Sequence, residues 1–120
     1  MKKYVILIPI YNDRDSLTKL IENINLEIKD LESEISIVIV NDASSQQIVD
    51  NYQYTENINS IEIINMKENR GHARCIASGL KYIFEKKKFD PIFYQLLQQF
   101  LIHNNRFFYC LLILKHIRKE

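Results

Sequence analysis

The chain has 120 residues, of which 47% are hydrophobic and 26% charged, and its 16 basic and 15 acidic side chains give a formal net charge of +1. These values are typical of a single soluble globular domain, and the balanced charge predicts no nucleic-acid partner. The two cysteines, Cys75 and Cys110, lack the spacing of a disulfide framework or a zinc site, so we expect reduced thiols in a cytoplasmic protein.

The first predicted element is a strand over Tyr4 to Ile8, a continuous run of aliphatic and aromatic residues. Such a run is typical of a strand that is covered on both faces, and therefore of a parallel sheet. Pro9 is predicted to end the strand because proline cannot donate a ladder hydrogen bond. A polar loop follows and ends at Asp13.

A helix is predicted next, because apolar residues recur at helical spacing with charged residues between them. Asn12, Asp13 or Asp15 can cap its first turn. The apolar positions of this amphipathic helix are Leu17, Leu20, Ile21, Ile24, Ile28 and Leu31.

Two further strands are predicted, at Ile35 to Val40 and at Ile61 to Asn65. The first of them ends in Asn41 to Ser45, short polar residues that favour turns and helix caps. Ser45 to Tyr54 has poor periodicity and is interpreted as a short helix or an irregular crossover.

The last predicted strand is followed by a loop over Met66 to His72, in which Gly71 is the flexible point. A helix with an apolar face then follows, and Gly79 within it is interpreted as a point of close packing. The apolar face consists of Ala73, Ile76, Ala77, Leu80, Ile83 and Phe84.

Together these elements predict an α/β fold, a three-stranded parallel Rossmann-like half with βαβαβα connectivity. Right-handed crossovers give the strand order 3-2-1. Parallel strands have their carboxyl ends at one edge, so we expect the loops 9–13, 41–45 and 66–72 to lie together there.

The composition changes after about Asp90. Residues 91–119 contain no Gly, Ala, Val, Asp or Glu, whereas residues 1–90 contain 23 of them. At the earlier rate about seven would be expected. These five amino acids have codons that begin with G, which are enriched in genuine reading frames, so the hypothesis is that the tail is translated from a shifted frame. The alternative is a native tail of unusual composition.

Residues 1–90 are thus predicted to form one half domain, and residues 91–120 a separate helical tail. The tail has an apolar stripe that begins at Ile92, and an apolar octet over Phe107 to Leu114. Polar residues interrupt it too often for a membrane span. Its basic end suits a helix that contacts a membrane surface, or one that packs on the sheet. The basic residues are Lys115, His116, Arg118 and Lys119.

The three loops carry carboxylates, guanidinium groups and neutral hydrogen-bonding groups, which together suit a ligand with hydroxyls and a negative charge. A nucleotide is the natural candidate, although Asp13 and Asp42 could instead only cap a helix and stabilise a turn. His72 is interpreted as a surface or capping residue and Cys75 as a small core residue. The candidate groups are Asp13, Asp42, Arg70, Arg74, Asn12, Asn41, Ser44, Ser45 and Asn69.

Three segments, Ile8 to Asp13, Val38 to Ser45 and Asn69 to Arg74, resemble the first three motifs of family 2 glycosyltransferases with the GT-A fold. Their order and spacing match over about residues 3–90, although Asp13 stands where many members have Glu. The resemblance implies that the first two loops hold the base and ribose of a UDP- or GDP-linked sugar, and that the third lines the nucleotide site. The predicted nucleotide-binding residues are Pro9, Tyr11, Asn12, Asp13, Asp42, Ser44, Arg70, Gly71 and Arg74.

The family continues with a fourth strand that ends in Asp-x-Asp, whose carboxylates hold Mg²⁺ or Mn²⁺ on the donor diphosphate, and later supplies a catalytic base. Here Asp90 is followed by Pro91 to Tyr94, without a second acid. No catalytic or metal-binding residue is therefore predicted in this chain. We expect a truncated glycosyltransferase with little or no activity, since the metal would neutralise the leaving diphosphate.

A different class of function is also consistent with the sequence. The chain could be a small non-catalytic α/β binding or regulatory module that docks to a partner or a membrane through its tail. In either case a half sheet leaves a strand edge open, which favours self-association.

Overall fold

The computed structural model of the protein describes residues 2–48, 52–87 and 112–116. The four strands within these ranges form one sheet with the order β3-β2-β1-β4, in which β1 to β3 are parallel. The prediction of a three-stranded parallel α/β fold with the order 3-2-1 is confirmed. The elements are β1 (Lys2–Ile10), α1 (Arg14–Glu27), β2 (Ser33–Asn41), β3 (Ser60–Asn65), α2 (His72–Lys87) and β4 (Leu112–His116).

The register aligns the carboxyl ends of the three parallel strands. Ile10 of β1 pairs with Asn41 of β2, which in turn pairs with Asn65 of β3. Each strand is followed by a loop at this level, so the register alone brings three distant segments of the chain to one edge.

Pro9 does not end β1, contrary to the prediction. It pairs with Val40 of β2, and the strand continues to Ile10, whose carbonyl accepts a hydrogen bond of 2.9 Å from the backbone N–H of Asp42. Successive residues of a strand direct their backbone groups to alternate sides. The nitrogen of Pro9 therefore faces away from β2, and since the pairing with β4 stops at Leu7, no ladder hydrogen bond is lost there.

The first helix is shorter than predicted. It ends at Glu27, and Leu31, assigned to its apolar stripe, lies beyond the helix with 55% of its surface exposed. Ile28 occupies the C-cap position and donates its backbone N–H to the carbonyl of Ile24 at 3.0 Å. Ile28 and the two residues after it form a turn, so the periodic pattern extends past the helix itself.

The connection between β2 and β3 is irregular in its described residues, 42–48 and 52–59, which agrees with one of the two predicted alternatives. The crossover is attached to α1 through the buried Asn25. The Oδ1 atom of Asn25 accepts from the backbone N–H of Asn57 at 2.8 Å, and the Nδ2 group of Asn57 donates to the carbonyl of Asn25 at 2.9 Å. Two hydrogen bonds thus attach the described part of this irregular crossover to α1.

Two apolar layers cover the sheet, one on each face, because alternate strand residues point to opposite sides. One layer packs under α1 and the other under α2. The α1 layer includes Ile6, Ile8, Ile10, Leu17, Ile21, Ile24, Ile35, Ile37 and Ile39, and the α2 layer includes Val5, Leu7, Val38, Val40, Cys75, Ile76, Leu80 and Ile83.

Gly79 allows α2 to approach the sheet closely, as predicted. A Cβ atom added there would lie 2.9 Å from Cγ2 of Val40 and closer still to Cδ1 of Leu7. Real Cβ atoms do not approach other atoms so closely, so the contact requires glycine.

The helical prediction for the tail is wrong for Leu112–His116, which form β4 and pair antiparallel with β1 between Lys3 and Leu7. The free edge of β1 offers unpaired backbone groups, and an aliphatic run can satisfy them as a strand. The rest of the predicted tail lies outside the described residues. No helix in the described ranges is long and apolar enough to cross a membrane.

Candidate functional site

Asn12 joins the loop after β1 to the loop after β2. Its backbone N–H donates to Oγ of Ser44 at 2.9 Å, and its Oδ1 atom accepts from the backbone N–H groups of Ser45 at 2.8 Å and Gln46 at 3.2 Å. Asn12 has a φ of 50°, a left-handed conformation that asparagine tolerates better than most residues. Asn12 therefore fixes the position of the loop after β2 relative to the loop after β1.

Gln46 caps α1 from the neighbouring loop. Its Oε1 atom accepts a hydrogen bond of 3.0 Å from the backbone N–H of Arg14, the first residue of the helix. Asp13, one of the predicted caps, occupies the N-cap position but makes no side-chain capping hydrogen bond. No local pattern predicts a cap whose residue lies 32 positions away, and Gln46 was missed for this reason.

Asp42 holds the loop after β3. Its side chain is buried, with 2% of the residue exposed, and its two oxygens accept from the backbone N–H groups of Arg70 at 2.7 Å and Gly71 at 2.9 Å. Hydrogen bonds to a carboxylate are among the strong ones, so the link is firm. Gly71 adopts a φ of +87°, which only glycine accepts readily.

The thiol of Cys75 lies beneath Asp42 in the first turn of α2. Burial, and then the hydrogen bond and negative charge of Asp42, raise the pKa of this thiol to about 12. Cys75 is therefore a neutral donor at physiological pH, which agrees with its interpretation as a small core residue.

Asn41 braces the second loop. Its Oδ1 atom accepts from the backbone N–H of Ser44 at 3.1 Å, and its Nδ2 group donates to Oδ1 of Asn65 at 3.0 Å. With Asn12 and Asp42, it completes a network that connects all three loops. Asn12 binds the loop after β2, and Asp42 binds the loop after β3, so each residue hydrogen-bonds to a loop other than its own.

The guanidinium group of Arg70 pairs with the carboxylate of Glu68 at the surface. Arg74 is exposed in the first turn of α2. An exposed ion pair contributes little to stability, so Arg70 can exchange Glu68 for another anion at small cost.

A half-open cavity of about 200 Å³ lies where the first loop meets the start of α2. Three predicted site residues line it, Tyr11, Asn12 and Asp13, together with Ile10 and His72. Tyr11 is 47% exposed and offers an accessible aromatic ring. The volume is below the 300–1,000 Å³ typical of sites that enclose a drug-sized ligand, so the cavity suits one ring or sugar of a larger molecule.

The sequence predicts only a surface or capping role for His72. The structure places it in the cavity wall, half-buried, with an Nδ1 atom that is inaccessible to solvent and has no hydrogen-bond partner among the described residues. Its position next to Gly71 was visible in the sequence. Its proximity to Tyr11 depends on the register of the sheet and was not.

The other predicted site residues lie around this cavity without lining it. Pro9 is buried in β1, Asp42 and Ser44 hold the loops together, and Arg70, Gly71 and Arg74 lie on the third loop and the start of α2.

The described residues do not form a metal site of their own. No group of three or more His, Cys, Asp or Glu side chains within residues 2–48, 52–87 and 112–116 could hold a metal ion. The described part of the chain thus does not fit the Mg²⁺ or Mn²⁺ ion that the family resemblance implies. Asp90, where the family's metal motif would begin, lies outside the described residues.

Comparison with known proteins identifies one matching family. The model described as Glycosyl transferase family 2 matches residues 5–86. An undecaprenyl-phosphate 4-deoxy-4-formamido-L-arabinose transferase from Proteus mirabilis (strain HI4320) is 31% identical over 81 residues, which are 66% of this chain and 25% of that protein. No solved structure matches the chain significantly. The chain spans about a quarter of the length of this relative.

Proposed function

The chain belongs to glycosyl transferase family 2, and we propose that its loop edge binds the nucleotide of a UDP- or GDP-linked sugar for transfer to an acceptor. The observation that carries this proposal is the network of Asn12, Asn41 and Asp42, which joins three loops beside one cavity. Preorganised loops at the carboxyl edge of a parallel sheet are the usual site of nucleotide binding in such folds.

The nucleoside contacts are assigned to Tyr11 and Asp13. An accessible aromatic ring can stack on a base, and a carboxylate can accept hydrogen bonds from ribose hydroxyls or from a base N–H group. Both residues line the cavity, whose volume of about 200 Å³ suits a base or a ribose.

The diphosphate contacts are assigned to Arg70 and Arg74 near the N-terminus of α2. Guanidinium groups bind phosphate oxygens in a bidentate geometry, and the positive end of a helix dipole favours an anion. The pairing of Arg70 with Glu68 at the surface is compatible with this role, because a phosphate can replace the carboxylate.

Asp42 stays in the proposed nucleotide-binding set, but its contribution is indirect. Both of its oxygens accept backbone N–H groups, so it acts by keeping Arg70 and Gly71 in position. Asn12 and Ser44 contribute in the same way by shaping the first two loops, and Pro9 contributes from β1, one residue before the strand ends.

The activity of the isolated chain is proposed to be low or absent. The described residues do not form a site for the metal ion that would neutralise the leaving diphosphate. The acceptor is proposed to be lipid-linked, since the relative from Proteus mirabilis is named for undecaprenyl phosphate. That acceptor would bring the protein to the cytoplasmic surface of a membrane, for which the basic composition of the end of the sequence is suited.

The division into a half domain of residues 1–90 and a separate tail of residues 91–120 is likewise a proposal, based on the abrupt change in composition. A frame shift near Asp90 would account for it. Translating the gene beyond this point in the other two frames tests the idea. A continuation with the composition of residues 1–90 supports it, and the lack of one in both frames overturns it.

Titration calorimetry of the full chain with UDP and GDP, with and without manganese, tests nucleotide binding. We expect weak binding that does not need the metal and that Arg74→Ala weakens about tenfold, the effect of losing one charged hydrogen bond. Lys81→Ala is the matched control, since Lys81 is exposed further along α2. If neither nucleotide binds, the proposal fails and the non-catalytic module becomes the better interpretation.

A further inference from the structure

His72 lines the same cavity as Tyr11 and Asp13 but belongs to a different segment of the chain. It is the first residue of α2, whereas the other two belong to the loop after β1. Its Nδ1 atom is buried without a hydrogen-bond partner among the described residues. An unpaired buried nitrogen is uncommon, since nearly all buried polar groups in native proteins have a hydrogen-bond partner.

The backbone holds His72 firmly. The N–H group of Gly71 is bound by Asp42 at 2.9 Å, and the carbonyl of Gly71 accepts the N–H group of Cys75 at 3.1 Å, which starts the helix. The imidazole is thus attached to a fixed point and not to a mobile loop. Only rotation about its side-chain torsions remains, and a half turn about χ2 exchanges the positions of Nδ1 and Cδ2. The ring nitrogen can therefore occupy either of two positions beside the cavity that His72 lines.

We propose that His72 hydrogen-bonds the nucleoside part of the bound nucleotide and so contributes to its recognition. This inference rests on the proposed nucleotide-binding function. A nucleoside fits the cavity better than a phosphate does, because the cavity is lined by the aromatic ring of Tyr11 and by Ile10, and by no lysine or arginine among the described residues. Arg70 and Arg74 do not line the cavity, so the groups suited to phosphate lie outside it.

The test compares His72→Phe with His72→Asn in the full chain. Phenylalanine keeps a ring of similar size without nitrogen atoms, whereas asparagine keeps a donor and an acceptor near the position of Nδ1. Each variant is titrated with UDP and uridine, or with GDP and guanosine, according to which diphosphate the wild-type chain binds. We expect His72→Phe to weaken nucleoside and diphosphate equally, by about tenfold, and His72→Asn to weaken both by less than about threefold.

The outcomes separate this inference from the proposed function. If the wild-type chain binds nucleotide and His72→Phe binds it equally well, the residue only fills space, and the inference fails while the function stands. A loss confined to the diphosphate would assign His72 to phosphate and would also overturn the inference. If the wild-type chain binds no nucleotide, both fail. Lys81→Ala serves as the control on the same helix, and His72→Ala replaces the phenylalanine variant if thermal unfolding shows that the latter does not fold.

Discussion

The start of α2 and the rest of the helix are held in different ways. Just before the first turn, Arg70 and Gly71 are held at the loop edge by hydrogen bonds to Asp42, which lies 28 and 29 residues earlier in the chain. The helix itself is held by apolar packing against the sheet, in which Gly79 lies against Leu7 and Val40. Packing is non-directional and depends on volume, whereas each hydrogen bond needs one specific partner.

The apolar packing and the hydrogen bonds are therefore expected to control different properties, the packing the stability of the fold and the hydrogen bonds the positions of the loops. We expect a substitution at Gly79 to change mainly the free energy of unfolding, because many apolar contacts between α2 and the sheet act together there. We expect substitutions at the loop edge to cost less stability but to move the loops that form the cavity. The variants below test this separation, beginning with the largest expected effect on stability.

Gly79→Val is expected to reduce the free energy of unfolding by about 3 kcal/mol, because its side chain would overlap Leu7 and Val40. Urea denaturation followed by circular dichroism measures the change. The matched control is Ala77→Val, with an expected loss below about 1 kcal/mol. Ala77 was predicted on the apolar face of the helix, but the structure places it at an exposed position, because it lies on the side of α2 that faces away from the sheet. Equal losses in the two variants would show that helix propensity, and not the close contact, determines the result.

Asp42→Asn is expected to cost about 2 kcal/mol of unfolding free energy, because an amide can accept only one of the two backbone N–H groups. Its NH₂ group would face the other donor. Nucleotide binding should fall below detection in calorimetry even where the variant remains folded. A variant that loses stability but binds nucleotide normally would mean that the third loop keeps its position without Asp42.

Asn12→Gly is expected to cost about 1 kcal/mol, since it removes the acceptor for Ser45 and Gln46 but still allows the φ of 50°. Asn12→Ala should cost about 1 kcal/mol more, because alanine adopts this conformation unfavourably. Thermal unfolding of the two variants side by side gives the difference. If alanine is as stable as glycine, the left-handed conformation at this position does not contribute.

Tyr82→Phe should have the smallest effect, about 0.5 kcal/mol near neutral pH, from loss of the 2.8 Å hydrogen bond that Tyr82 donates to Glu62. This bond raises the pKa of Tyr82 above its ordinary value of 10.0. The stabilisation is therefore complete below pH 10 and is lost as the pH rises through the raised pKa. Denaturation of both proteins between pH 7 and 11 should show a constant difference that shrinks only at the alkaline end.

The apolar half of this comparison could be predicted from the sequence. The strands, their order, the close contact at Gly79 and the gathering of three loops follow from periodicity and from the rules for parallel sheets. Local patterns are sufficient there because burial depends on which face a residue occupies, and not on which partner it meets.

The polar half could be predicted only in part. The types of residue were recognised, but the cap by Gln46 and the two hydrogen bonds of Asp42 join positions about 30 residues apart and have no local signature. The strand at Leu112–His116 was missed for a similar reason, because a short apolar run suits either structure and the free edge of β1 decides between them.

The alignment of Ile10, Asn41 and Asn65 also has a consequence for folding. A slip of one residue between β1 and β2 would turn alternate side chains to the wrong face and shift Asn12 by about 3.3 Å relative to Ser45. The hydrogen bonds between the loops can therefore form only in molecules whose strands have the correct register. A ligand that needs the joined loops would then bind only correctly registered molecules, and its binding stoichiometry would report the fraction of chains that have folded without a slip.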